Sequence, residues 1–199
     1  MTIEKQGFGD NAVAIWDTNA AENETVGIEG VYHVECRDAA GNLKWEDSFP
    51  NLVVAVGKQL MLDTLLKGSS YSVVGPYLGL IGNSFTAAAA DTMGSHTWTE
   101  FVNYTVGGSA VRGTAVFGSS TSTGTTPSNV TSSTATAITY TITGAGGTVY
   151  GCFLVTGTGA VNTQSSTAGI LYSEGLFSTA KTTTAGDTVA VTYSTTATS

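Results

Sequence analysis

Residues 30–46 contain the stretch that decides the fold class: Gly30-Val-Tyr-His-Val-Glu-Cys-Arg37, then Asp38-Ala-Ala-Gly41-Asn42, then Leu43-Lys-Trp-Glu46. Apolar and polar side chains alternate on both sides of its centre, which is the period of a strand with one buried face. The five central residues favour a turn, and Gly41 suits a positive φ. The stretch therefore predicts a β-hairpin.

The composition of the 199 residues extends this interpretation to the whole chain. Charged residues make up only 11%, against roughly 25% in an average soluble domain. Their place is taken by 34 Thr, 19 Ser and 25 Gly, residues that fit pleated surfaces and turns. We expect an all-β fold, a β-sandwich or jelly-roll-like body, formed as one β-rich domain by residues 26–199. Residues 1–25 are predicted to be an extended N-terminal arm.

Short apolar runs separated by Gly- and Ser-rich turns predict the remaining strands. These runs are Val73–Val74 with Tyr77–Ile81, Trp98–Thr105, Ala110–Phe117, Ala135–Thr143, Val149–Thr156, Ile170–Phe177 and Thr188–Tyr193. The low-complexity stretch Ser119–Ser133 is predicted to be a long exposed loop.

A single helix is predicted, over Leu52–Lys67. Its apolar residues fall on one broad face that we expect to plug the open end or one face of the sandwich. That face comprises Val56, Leu60, Met61, Leu62, Leu65 and Leu66.

Charge is distributed unevenly along the chain. The net charge is −8 with only seven Lys and Arg, which argues against nucleic-acid binding. Only Arg112, Glu174, Lys181 and Asp187 are charged after Glu100. Two interpretations stay open, a Thr-rich face in contact with water and a face packed within an assembly.

Hydropathy gives no sign of a membrane or of secretion. No stretch approaches about 18 uninterrupted apolar residues, so no transmembrane helix is expected. The opening residues Met1–Gly7 contain no apolar signal-peptide run.

The search for catalytic chemistry predicts no enzyme, no cofactor and no metal site. His33 and Cys36 form an H-x-x-C without a second pair, and strand positions three apart face opposite sides. Cys36 and Cys152 are interpreted as small buried apolar residues. His96 is predicted to be a surface residue of a loop.

Two other patterns are given structural interpretations. Gly144-Ala-Gly146-Gly147 is predicted to be a turn, because a strand and not a helix follows it. Several carboxylates that are close in sequence do not establish a glycosidase pair, since their spacing says nothing of a shared cleft. They are Glu22, Glu24, Glu29, Glu46 and Asp47.

Four stretches together resemble small structural proteins of tailed bacteriophages, in particular head decoration or cement proteins. They are Gly30–Asp47, Asn51–Asp63, Gly169–Phe177 and Ala185–Tyr193. The resemblance implies a β-sandwich on the capsid exterior, made in the host cytoplasm, that bridges capsomers. Its partners would be the major capsid protein and neighbouring copies of the chain.

Two functional classes follow, a shell-bound cement protein and a tail-associated module that binds host glycans. The second needs an aromatic platform, for which Trp98, Phe101 and Tyr104 are candidates, although core packing also explains them. For the first, we expect a broad uncharged contact surface. The open alternative is that the N-terminal arm makes the contact, through Glu4, Lys5, Asp10 and Trp16.

Overall fold

The computed structural model describes residues 27–67, 74–121, 128–130 and 137–198, with only the backbone of 128–130. These residues form one helix and twelve strands. The elements are β1 (Gly27–Arg37), β2 (Leu43–Pro50), β3 (Leu52–Val53), α1 (Ala55–Leu66), β4 (Tyr77–Ile81), β5 (Glu100–Phe101), β6 (Tyr104–Thr105), β7 (Gly113–Thr114), β8 (Ser128–Val130), β9 (Ile138–Ile142), β10 (Gly147–Thr156), β11 (Ile170–Thr183) and β12 (Thr188–Thr198).

The strands pair into two antiparallel sheets that pack face to face. Sheet A runs β2-β1-β12-β9-β6, and β8 also pairs with β12. Sheet B runs β3-β11-β10-β4-β5, and β7 also pairs with β4. The predicted all-β sandwich with one short helix is therefore confirmed for the described part of the chain. The domain boundary near residue 26 stays a prediction, because the arm lies outside that part.

The hairpin of residues 30–46 is confirmed. β1 and β2 pair antiparallel with Tyr32 opposite Phe49. Gly41 has φ +88° in the turn, and the Asp38 carboxylate accepts the amides of Ala40 and Asn42 at 2.9 and 2.8 Å. Local turn chemistry thus sets the register that turns the apolar side of β1 inward.

The core between the sheets is rich in aromatic rings. Tyr32 lies 4.7 Å from Tyr193 and 5.4 Å from Phe49, measured between ring centroids. The hydroxyl of Tyr32 shares a 2.9 Å hydrogen bond with Ser173 on the facing sheet. Both sheets contribute to this core, with Val34, Tyr140 and Val191 from sheet A and Leu78, Cys152 and Leu154 from sheet B.

Sheet B is buried on both faces, which the sequence analysis did not predict. Its outer face carries a second apolar cluster built from Val54, Ile81, Met93, Trp98, Phe153, Val155, Ala160 and Leu171. The irregular segment 82–99 lies over this cluster, so the molecule has a third layer of loops on sheet B. The nearly unbroken apolar run of β10 is the sequence signal of a strand buried on both faces.

The helix packs on the sandwich but differs from the prediction at its start and on its face. Leu52–Val53 forms β3, which pairs with β11, and the helix begins only at Ala55. Gly57 and Leu60 are its buried residues, and a Cβ on Gly57 would meet the Tyr172 carbonyl oxygen.

Only half of the predicted apolar face of the helix packs against the core, through Val56, Leu60 and Met61. Leu62, Leu65 and Leu66 are 59%, 75% and 78% exposed. These leucines lie on the last turns of the helix, beyond Leu60, the last of its buried residues. The expectation that the whole face is buried is therefore wrong.

The prediction of a long loop over Ser119–Ser133 is wrong in one place. Residues 128–130 form β8, which pairs with residues 194–196 of β12. β12 runs to Thr198, five residues beyond the predicted end at Tyr193, and this extension offers the edge that β8 uses.

Candidate functional site

Three neighbouring strands of sheet A present a surface of hydroxyls and small side chains. Register places Thr188 beside Thr141, and Thr141 beside Thr105. Neighbouring positions are about 4.8 Å apart across strands and about 6.7 Å apart along them. We call this surface the hydroxyl face; all its members are exposed or half-exposed. They are Thr105, Thr139, Thr141, Thr188, Ala190, Thr192, Ser194 and Thr196.

The hydroxyl face ends where the charged side of the same sheet begins. On β1 the outward positions include Glu29, Glu35 and Arg37, and β2 adds Glu46. Arg37 donates to Glu35 at 2.5 Å, which partly neutralises this side. Sheet A therefore presents a charged half on β1 and β2 and an uncharged half on β12, β9 and β6.

The four charged residues that follow Glu100 are directed inward. The side chains of Arg112 and Asp187 are 1% and 2% exposed, Glu174 is fully buried, and Lys181 is 20% exposed. The outer surface formed by the described residues that follow Glu100 is therefore almost free of charge. This inward placement is the decisive property of the candidate surface.

Arg112 and Glu100 form a buried ion pair in the third layer. Arg112 donates from Nη2 and Nε to the Glu100 carboxylate at 2.8 and 3.0 Å. The Ser165 amide donates to the same carboxylate at 2.7 Å, and Arg112 also donates to the Ser166 carbonyl at 2.7 Å. The guanidinium lies 5.0 Å from the Phe153 ring centroid. The ion pair and its hydrogen bonds thus hold the loop at Arg112 and the loop at Ser165 and Ser166 against sheet B.

Glu174 lies beneath the same loop layer. It accepts the Trp98 indole N–H at 2.7 Å and the Ala88 amide at 3.3 Å. Burial raises the pKa of Glu174 to about 7, and the nearby Asp91 carboxyl acts in the same direction. The Glu174 carboxyl is therefore held by the loop that carries Ala88 and Trp98, and it does not reach the protein surface.

The other two late charges pair with residues of β2, and the pair between Lys181 on β11 and Asp47 joins the two sheets. Lys44 donates to Asp187 at 2.5 Å, and Lys181 lies 3.0 Å from Asp47. Burial opposes ionisation of Asp187, yet the Lys44 hydrogen bond and those of Thr184 hold its pKa below the usual value. Each pair joins a residue before Glu100 to one after it, so the late charges serve the fold.

The three candidate platform aromatics are core residues. Trp98, Phe101 and Tyr104 are 3%, 7% and 1% exposed, which confirms the core-packing interpretation. His96 was expected at the surface, but it is half-buried and stacks on Trp98 with a centroid distance of 3.6 Å. The reason is that the loop folds onto sheet B, and this burial lowers the pKa of His96.

The residues examined for metal or thiol chemistry are separated by the fold. His33 is on the outer side of β1, where it shares a 2.8 Å hydrogen bond with Ser48, while Cys36 faces the core. In the described ranges no group of three or more His, Cys, Asp or Glu is placed to hold a metal. Burial raises the pKa of Cys36 to about 11 and also raises that of Cys152, so both are inert buried thiols.

The glycine motif forms a turn, and the described carboxylates that are close in sequence lie on different sides or different strands of the sheet. Gly144 and Gly146, with φ +60° and +74°, form the turn between β9 and β10, as predicted. Glu46 is exposed on the outer side of β2, whereas Asp47 is half-buried on the inner side. Glu29 is exposed on the outer side of β1, and Glu22 and Glu24 lie outside the described residues.

A groove opens between α1 and the end of the sandwich, and the sequence gives no sign of it. Its volume is about 430 Å³, and its walls are mainly apolar. One wall consists of Leu60, Met61 and Leu65 from the helix. The other includes Phe117, Leu154 and Tyr172, and the Tyr172 hydroxyl donates to the Met61 sulfur at 3.4 Å. We call this cavity the open-end groove.

The four arm residues predicted to bind a partner, Glu4, Lys5, Asp10 and Trp16, lie outside the described residues.

No protein family, curated protein or solved structure is significantly similar to this chain. The one helix in the described part of the chain, α1, has 12 residues and is too short to cross a membrane.

Proposed function

We propose that this chain is a non-enzymatic structural protein of a phage virion, a decoration or cement protein that binds the assembled capsid and bridges capsomers. Its partners are the major capsid protein and neighbouring copies on the lattice, and its place is the capsid exterior. The observation that carries the proposal is the inward placement of all four charges after Glu100.

The hydroxyl face has the chemistry that docking on a protein lattice requires. Threonine hydroxyls exchange hydrogen bonds with a facing backbone at a far smaller desolvation cost than ions. Their small side chains also allow two surfaces to approach closely. Each contact is modest, so affinity rests on buried area and on the many sites of a shell acting together.

The resemblance to head decoration proteins supports the capsid over the tail. The competing tail-associated, glycan-binding function was motivated by an aromatic platform. Trp98, Phe101 and Tyr104 are buried, so these residues give that alternative no support. The polar groups of the third layer also favour a structural role. Glu100 and Arg112 use their hydrogen-bonding groups on each other and on the backbone of the loop at Ser165 and Ser166.

The proposal is tested by the copy number of the chain in purified virions of the phage that encodes it. Quantitative mass spectrometry would compare its peptides with those of the major capsid protein and of a tail component in the same digest. A shell-bound cement protein is expected in hundreds of copies, in a fixed ratio to the capsid protein. A few or a few dozen copies would place it in the tail, and its absence would rule out a virion component.

A further inference from the structure

The open-end groove lies at the end of the sandwich where the N-terminal arm joins it. Thr195 lines the groove and pairs with Gly30 on β1. Gly27, the first described residue, is three positions before Gly30, or about 10 Å further along the strand. Gly27 pairs with Thr198, three residues beyond Thr195 on β12. The chain that precedes Gly27 therefore begins close to the opening of the groove.

The groove continues onto an apolar surface without a partner in the described residues. Leu65 forms part of its wall and is 75% exposed, and Leu62 and Leu66 on the same helix are 59% and 78% exposed. Exposed leucines in such a group are unusual on a free surface and mark a contact site.

The preceding residues contain a segment of matching chemistry. Val13-Ala-Ile-Trp16 is an apolar cluster within the arm. Ten residues lie between Trp16 and Gly27, so the two can be up to about 36 Å apart in an extended chain, far more than the return to the groove requires. A tryptophan buries about 150–250 Å² when enclosed, which makes Trp16 a natural anchor.

We propose that Val13–Trp16 docks in the open-end groove of its own chain, with the Trp16 indole between Leu65 and the wall formed by Phe117 and Tyr172. The short linker of residues 17–26 favours this occupant over a second copy, since such a linker gives the attached segment an effective concentration in the millimolar range. The inference is independent of the virion function. It assigns Trp16 to an intramolecular contact and removes it from the residues predicted to bind the capsid.

The test measures how well acrylamide quenches the fluorescence of Trp16 in the full chain. Trp45 and Trp98 also emit, so the signal of a Trp16→Phe chain is subtracted to isolate Trp16. Leu65→Asp places a charge in the groove wall, and Gln59→Asp, which adds the same charge to the same helix, is the control. Gln59 is exposed and belongs neither to the groove wall nor to the exposed leucines beside it. Circular dichroism and thermal melting confirm that each variant folds.

Docking predicts that Trp16 is protected in the wild type and that its quenching constant rises several-fold in Leu65→Asp but not in Gln59→Asp. Protection is also expected to be independent of protein concentration. Three results would overturn the proposal. Trp16 could be as accessible as free N-acetyltryptophanamide, both substitutions could have the same effect, or protection could increase with protein concentration, which would identify a second copy as the occupant.

Discussion

At the scale of single residues, the placement of ionisable groups separates structural charges from surface charges. The second half of the chain retains only four charged residues, and each is held by a specific partner or buried beneath a loop. A buried charge without a partner is costly, so these pairings are conditions for the fold. They also make the two halves of the chain depend on each other, since Asp187 pairs with Lys44 and Lys181 with Asp47.

The first prediction concerns Glu174 and pH. Its pKa is raised from the ordinary 4.5 to about 7 by burial, so between these values the folded state binds a proton that the unfolded state has lost. The contribution of this group to stability is therefore greatest below pH 4.5 and falls as the pH rises to about 7. Glu174→Gln, which stays neutral and still accepts the Trp98 N–H, should remove this fall.

The measurement for Glu174 is the free energy of unfolding of both proteins across pH. The variant should become progressively more stable relative to the wild type between pH 4.5 and 7, with a constant difference outside this range. Glu46→Gln, at an exposed site, serves as the control. A difference that does not change with pH would contradict the assignment.

The second prediction concerns the ion pair of the third layer. Arg112→Met leaves Glu100 buried without its main partner, and the free energy of unfolding should fall by about 3–5 kcal/mol. Adding Glu100→Gln removes the uncompensated charge, so the double variant should recover part of this loss. Denaturant unfolding of the four proteins gives the coupling energy. A loss below about 1 kcal/mol in Arg112→Met would show that the pair does not hold the loops.

At the scale of elements, the sequence predicts what alternation and turn chemistry determine locally. The hairpin follows from Tyr32, Val34 and Cys36 alternating with polar residues and from the turn at Gly41. Ile138, Tyr140 and Ile142 alternate with threonines in β9 and are buried on one side of it for the same reason. Those patterns are complete within a few residues, so no tertiary information is needed to interpret them.

The elements that were missed depend on distant partners. β3 and β8 have only two and three residues, and each exists because a long strand offers it an edge. The apolar helical pattern of Leu62–Leu66 cannot show that the sheet ends before these residues. A broad uncharged contact surface was predicted, but the position of the hydroxyl face on β12, β9 and β6 follows only from the strand order. The open-end groove required the position of α1.

The third prediction tests the revised helix. Leu60 is 6% exposed and Leu62 is 59% exposed, although both belong to the predicted apolar face. Leu60→Ala should lower the free energy of unfolding by about 2–5 kcal/mol through the cavity it creates. Leu62→Ala should change it by less than about 1 kcal/mol, as is usual for exposed sites. Equal losses in denaturant unfolding would mean that both leucines are buried, as the sequence suggested.

At the scale of the whole molecule, charge and contact surface are separated. The net charge of −8 belongs to the first 100 residues, because the four charged residues that follow are two positive and two negative. On sheet A the charged half on β1 and β2 lies beside the hydroxyl face on β12, β9 and β6. This division gives the protein a side that favours water and a side suited to a protein lattice.

The central claim is that the hydroxyl face binds the capsid, and sedimentation with purified shells lacking this protein tests it most directly. Wild type, Thr141→Lys and Thr158→Lys are compared from about 0.1 to 1 M salt, where screening shortens the Debye length to about 3 Å. Thr141 lies on the hydroxyl face, and Thr158 is an exposed threonine of the turn after β10. The wild type and Thr158→Lys should sediment with the shells at every salt concentration, and Thr141→Lys should not. Wild-type binding that disappears at high salt, or binding that Thr141→Lys leaves intact, would contradict the claim.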